Sequence, residues 1–164
     1  MVNRNMQLSH LPSGNSLKAA ITELVEKDFL QLKSSEDFGF DWSEESDYEV
    51  YKIFLINKSE EILGVTSLKD IPGEYRIHLN LIEVSKKHQG KTKEIDRIAG
   101  CLIAFSVAAA FKRGYDGFVS LEPKTRLIDL YQDKYSFRQY GRYLGIEGDN
   151  AINLVNQYFE DEEE

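Results

Sequence analysis

The chain has 164 residues, 41% of them hydrophobic and 12% aromatic, enough to bury one core. Its formal net charge of −8 is concentrated in an all-acidic tail, residues 160–164, and no basic face points to nucleic acid. The single cysteine, Cys101, excludes an intrachain disulfide, and the longest apolar run, 101–111, is interrupted by Ser106 and falls short of the about 20 residues a membrane span needs. With no signal-peptide core near residue 1, these features predict a cytoplasmic protein with one domain over 1–159.

Residues 1–15 read as an N-terminal extension or a short strand, in which Met6 and Leu8 alternate with polar neighbours. Pro12, Ser13, Gly14 and Asn15 form a turn, and Ser16 stands where a helix cap belongs. Behind it, Leu17, Ala20, Ile21, Leu24, Val25, Phe29 and Leu32 recur at helical spacing, which predicts a helix ending near Lys33. Residues 34–47 are acidic and read as an irregular segment or a short helical turn. Their aromatics Phe38, Phe40 and Trp42 either line a pocket or cap the core.

Residues 48–57 are rich in Tyr, Val, Ile and Phe and predict a strand; 62–69 makes its hairpin partner. Pro72-Gly73 turns the chain into a third antiparallel strand, 75–85. Strict alternation there puts His78, Asn80, Ile82 and Val84 on one face and Leu79, Leu81 and Glu83 on the other. A helix over about 96–113 is apolar nearly all round, so it is buried on most sides, and Gly114 ends it. Cys101 lies on this helix among Ala99, Leu102 and Ile103 and reads as an inert core thiol. A strand at 117–121 follows, so strand, helix and strand make a parallel βαβ unit. A helix over 125–134, short strands at 137–140 and 142–146, and a helix over 151–159 capped by Asp149 complete the chain.

The centre of this order is a strand feeding a basic loop that opens a buried helix. Helix N-termini present free N–H groups and partial positive charge, which suits phosphate. The loop carries Lys86, Lys87, Lys91, Lys93 and Arg97 against Glu94 and Asp96.

The element order resembles the GNAT superfamily of acyl-CoA-dependent N-acyltransferases. The resemblance covers about 48–146 and rests on three pieces: Ile82-Glu83-Val84-Ser85, the segment 109–121, and Leu130-Tyr131 followed by Phe137. It implies an α/β fold of the α+β type: a mixed, mostly antiparallel central sheet, helices on both faces, one parallel βαβ unit, and an acyl-CoA-binding core over 78–137. The family's loop is R/Q-x-x-G-x-G/A; this sequence has Gln89-Gly90-Lys91, then Arg97-Ile98-Ala99-Gly100, with an arginine at the first glycine. An arginine there either bonds phosphate or obstructs it.

The resemblance implies acetyl transfer from acetyl-CoA to an amine, a small molecule or a lysine or N-terminal amine, with no metal. Ile82, Val84 and Ser85 would hold the thioester oxygen and pantetheine. Gln89, Gly90, Lys91, Arg97, Ile98, Ala99 and Gly100 would form the pyrophosphate cradle. Tyr131 matches the helix-borne tyrosine that protonates the departing thiolate; its plainer reading is a half-buried aromatic beside Leu127 and Leu130. Glu83 is a candidate general base if burial raises its pKa, and otherwise a solvent-facing or lysine-paired carboxylate. His78 is nearer neutrality but lies farther from the strand end. His10, His78 and His88 make no metal-ligand spacing, and no G-x-S-x-G elbow occurs. A second expectation is a non-catalytic GNAT-like module acting through protein contacts or CoA sensing; a homodimer is compatible with either.

Overall fold

The computed structural model describes residues 6–123 and 127–159. The elements run β1 (Met6–His10), β2 (Ser16–Glu23), α1 (Glu26–Ser34), a 3₁₀ turn (Trp42–Glu45), β3 (Glu49–Leu55), β4 (Gly64–Ile71) and β5 (Arg76–Val84). Then come β6 (Ile95–Asp96), α2 (Ile98–Lys112), β7 (Val119–Leu121), α3 (Ile128–Tyr135), β8 (Arg138–Tyr140), β9 (Tyr143–Ile146) and α4 (Gly148–Tyr158). The described strands form one sheet in the order β6-β1-β2-β3-β4-β5-β7-β9-β8. Every ladder is antiparallel except β5–β7, which α2 connects as a crossover.

The sheet separates two cores. α2 and α4 cover one face, where Leu102, Phe105 and Val107 meet Ile21, Ile53 and Ile77. α1 and the Trp42–Glu45 turn cover part of the other, closing Leu32, Phe38 and Trp42 over Val50, Ile62 and Val65. The expected α+β architecture, with helices on both faces and one parallel βαβ unit, is therefore present. α2 is buried over most of its length, and Ser106 within it donates to the Ile103 carbonyl. Cys101 is fully buried, and burial pushes its thiol up to about 12, which makes it unreactive.

The helix expected over 17–33 is two elements. Ser16, expected as its cap, begins β2 and pairs with Ser9. Leu17 and Ile21 fit both periods: with Ala19 they also alternate, and all three meet the α2-side core. Pairing with β1 on one edge and β3 on the other decides for strand, because it satisfies both rows of backbone groups. The helix begins only at Glu26, where the Asp28 carboxylate accepts the Val25 N–H at 2.9 Å. At the other end, α4 starts at Gly148, so Asp149 lies inside its first turn rather than capping it. α2 starts at Ile98 because Asp96 is held in β6 against Ser9. The acidic tail and the Thr125 start of the expected helix 125–134 lie outside the described residues.

Candidate active site

A bulge in β5 shapes the site. Leu81 pairs with Ser67 and Leu79 with Leu68, so Asn80 is an extra residue on β5. The extra residue flips the alternation. Ile77 and Leu79 before it, and Ile82 and Val84 after it, all meet the α2-side core. The expected grouping of His78 and Asn80 with Ile82 and Val84 is thus corrected: Asn80 reaches Glu45 on the α1 side, and Glu83 bonds the loop there.

The bulge also turns the backbone. Ser85 gives its N–H to Leu63, and the Leu81 carbonyl accepts from Thr66 Oγ1, so both point to β4. Alternation then aims the backbone groups of Ile82 and Val84 at the opposite edge. Among the described residues no strand pairs with that edge, because the β5–β7 ladder ends at His78 and Ser120. The strands part there around a cleft of about 570 Å³ whose walls include Leu79, Ile82, Val84, Leu121, Leu127 and Tyr131. The Val84 carbonyl already accepts from Gln89 Nε2 at 2.6 Å.

Beside this cleft, and sharing Val84 and Gln89 with it, is a cavity of about 210 Å³ at the first turn of α2, reached by Gly90, Ile98, Ala99 and Gly100. The first bonded amide of the helix is Cys101, which donates to the Arg97 carbonyl, so the N–H groups of Ile98, Ala99 and Gly100 have no helical acceptor. Arg97 adopts φ +80°, the left-handed conformation that a glycine takes more readily. Arg97 lines the cavity too, but its guanidinium is already engaged: it donates to the carbonyls of Gln157 and Gln7 and stacks 4.5 Å from the Tyr158 ring. Gly100 accommodates that same ring, since a Cβ on Gly100 would fall inside it. The Asp96 carboxylate binds Lys93 at 2.8 Å and the Arg97 N–H, and these bonds hold it below the usual carboxylate range. Lys87 pairs with Glu61, so part of the basic loop is already neutralised.

Tyr131 sits on α3, 8% exposed, with Tyr135 and Phe137 rings at 5.8 and 5.7 Å. Burial raises its hydroxyl pKa, so it is protonated at neutral pH. Glu83 accepts from the Gly39 N–H at 2.6 Å, the Phe40 N–H at 3.3 Å and Trp42 Nε1 at 2.9 Å. Its carboxylate thus ties residues 39–42 to the sheet. The aromatics of that loop divide: Phe38 and Trp42 enter the core, while Phe40 is exposed and lines the cleft.

Sequence reasoning passed over Ser120 and Arg76. Ser120 lies beside His78, with Nδ1 to Oγ at 2.9 Å, and Arg76 bonds the same hydroxyl. No local pattern joins residues 42 positions apart; only the parallel register does.

A sheet with one parallel pair, parted beyond it and followed by a helix N-terminus, is the GNAT fold, and this chain has it. Several solved structures share it. An acetyltransferase of the GNAT family from Staphylococcus aureus Mu50 matches with TM-score 0.54 and 13% identity, over 79% of this chain and 99% of that one. The spermidine/spermine N-acetyltransferase SpeG from Vibrio cholerae matches at 0.60 and 11%, over 83% and 97%. The Bacillus subtilis N-acetyltransferase YlbP, in complex with coenzyme A, matches at 0.54 and 15%, over 80% and 98%. At these identities the likeness is one of fold. No protein-family model and no curated protein sequence matches the chain. No helix among the described residues is long and apolar enough to cross a membrane.

Proposed function

We propose that this protein is a cytoplasmic N-acetyltransferase that moves an acetyl group from acetyl-CoA to an amine. The observation that carries the reading is the parting of β5 from β7 beyond His78 and Ser120, which leaves strand backbone open to the cleft. The residues present fit the donor. An extended amide-bearing arm pairs naturally with an open strand edge, and free N–H groups at a helix start suit a pyrophosphate. In this reading Ile82 and Val84 hold the pantetheine arm and thioester oxygen through their backbones, and Ser85 anchors the strand end through Leu63. Gln89, Gly90, Lys91 and the amides of Ile98, Ala99 and Gly100 receive the pyrophosphate. Arg97 contributes through its backbone turn rather than its charge.

Tyr131 gives its proton to the departing thiolate; burial supports this by keeping the hydroxyl protonated. Glu83 positions the 39–42 loop over the cleft. Acetyl-CoA binding the native state alone would add about 2.7 kcal/mol at a hundred times Kd, read as a rise in Tm. Tyr131→Phe is expected to lower kcat about 100-fold with acetyl-CoA affinity unchanged, the usual scale of a general acid. Equal loss of both would make Tyr131 structural.

One observation favours a second reading, a non-catalytic module acting through protein contacts or CoA sensing. The Asp96 carboxylate stands at the start of α2 and takes the Arg97 N–H, so an anion is already beside the cradle. Absence of any Tm rise with millimolar acetyl-CoA would select a module acting through protein contacts, and a Tm rise without acetyl transfer would select CoA sensing.

A further inference from the structure

On the sheet face away from α2, the last rung of the β5–β7 ladder carries a polar cluster that the acetyl-transfer reading leaves unused. His78 Nδ1 lies 2.9 Å from Ser120 Oγ, and Arg76 Nη1 donates to that oxygen. A hydroxyl has one hydrogen and two lone pairs. Arg76 Nη1 also lies 3.4 Å from His78 Nδ1, so that nitrogen faces a donor and is assigned as the unprotonated one; the Ser120 hydrogen then goes to Nδ1 and, with the guanidinium on one lone pair, one lone pair stays open. Ser120 lines a cavity of about 410 Å³ walled by Arg76, Phe118, Tyr140 and Tyr143. One residue further along each strand, Leu79 and Leu121 line the cleft. The Ser120–His78 pair therefore stands where the strands part, one residue before the cleft on each strand, with Ser120 on the second opening.

We propose that this second cavity admits the acceptor amine and that the Ser120–His78 pair accepts its proton; the proposal rests on the acetyltransferase reading. The walls indicate the class of amine. Three are aromatic rings, and the charge of Arg76 is paired with Glu74 at 2.6 Å. Such walls suit a primary amine carried on an aromatic or apolar body. A polycation needs several free carboxylates, and among the described residues the one carboxylate lining this cavity, Glu74, is already paired.

In the step, the amine lone pair attacks the thioester carbonyl carbon and the C–N bond forms. The nitrogen, now positive, gives a proton to Ser120 Oγ as the Ser120 hydrogen passes to His78 Nδ1. The C–S bond breaks, its electron pair leaves on sulfur, and the sulfur takes the Tyr131 proton. Solvent returns the His78 proton to Tyr131, so the net products are the amide and the free thiol.

The imidazole is suited to this. Burial lowers its pKa from the ordinary value, and the charges of Arg76 on its own strand and Lys69 on β4 lower it further, against Glu122 beyond β7. Tyr143 on β9 packs its ring edge-on at 5.5 Å. His78 is therefore neutral at pH 7 with a lone pair for the proton.

The test uses acetyl-CoA with phenethylamine or spermidine as probe amines, read by thiol release. His78→Asn keeps an acceptor for the Ser120 hydroxyl but takes no proton. Phenethylamine is expected to be the better acceptor. In His78→Asn, kcat should fall about 100-fold or more, the usual weight of a general base. Its acid limb, which lies below 6.5 in the wild type, should vanish. Tm and the rise in Tm with acetyl-CoA should stay as in the wild type. Ser120→Ala should match that loss and Ser120→Thr should retain activity. An unchanged pH profile in His78→Asn, a preference for spermidine, or bound acetyl-CoA with no transfer to either probe overturns the proposal. A wild type that acetyl-CoA does not stabilise overturns the reading beneath it instead.

Discussion

Gly100→Ala separates two roles for one residue. In the fold, Gly100 leaves room for the Tyr158 ring of α4; in the sequence it reads as part of a phosphate cradle. A Cβ at this position falls well inside van der Waals distance of two carbons of that ring and of its hydroxyl. Overpacking of this kind costs about 1–3 kcal/mol. Displacing the ring also loosens its stacking on Arg97, worth up to about 1 kcal/mol at a partly exposed site. Alanine returns at most about 1 kcal/mol of helix propensity. The net is a destabilisation of about 2 kcal/mol, or a Tm lower by about 4–8 °C for a chain of this size. Thermal or urea melting reads it. With Tyr158→Leu in place the added methyl meets no ring, so Gly100→Ala should then cost little, a coupling of about 2 kcal/mol between neighbours. Wild-type stability in the single variant, or the same cost in both backgrounds, would refute the packing argument.

Lys52→Met should be more damaging than an ordinary surface change. Lys52 Nζ lies 2.8 Å from Asp28, whose side chain is 2% exposed, and removing one partner of a buried pair costs about 3–5 kcal/mol, readable in urea melts. Glu49 gives a pH dependence. Burial raises its pKa, but bonds from Arg113 and Tyr51 outweigh that and hold it below 4.5. A depressed carboxylate contributes stability that is present above its unfolded pKa and lost as pH falls through the folded one. Arg113→Met should therefore lower Tm at pH 7 and shrink the difference from wild type below pH 4.5; a constant difference across that range would refute it.

The β-branched and aromatic residues of β3, the apolar residues of β5 and the apolar run of α2 are local signals, and each element appears where its residues indicate. The GNAT resemblance came from the same stretch and named the correct fold. The 17–33 segment failed because its apolar residues satisfy two periods at once, and strands five or more residues away choose between them. The face assignment in β5 failed because one inserted residue, Asn80, reverses every side chain beyond it, and a bulge leaves no periodic trace.

The site divides the same way. Short motifs place Tyr131, Gln89, Gly90 and the start of α2 on named elements; Tyr131 and Gln89 line the cleft, and Gly90 and the start of α2 line the cavity beside it. Arg97 reads as either a charge for phosphate or an obstruction to it, yet its guanidinium lies on the Gln157 carbonyl and the Tyr158 ring, contacts 60 and 61 positions away. Glu83 read as a candidate base, yet its oxygens hold the backbone of residues 39–40 and the Trp42 indole. Sequence by itself determined which segments become strand or helix wherever one period dominates, and that a basic loop opens a buried helix. Tertiary structure alone decided what each charged side chain meets, and it brought Arg76, His78 and Ser120 together. Hydrogen-bond partners of buried charges are chosen by strand register and helix docking, which join residues that no local spacing connects.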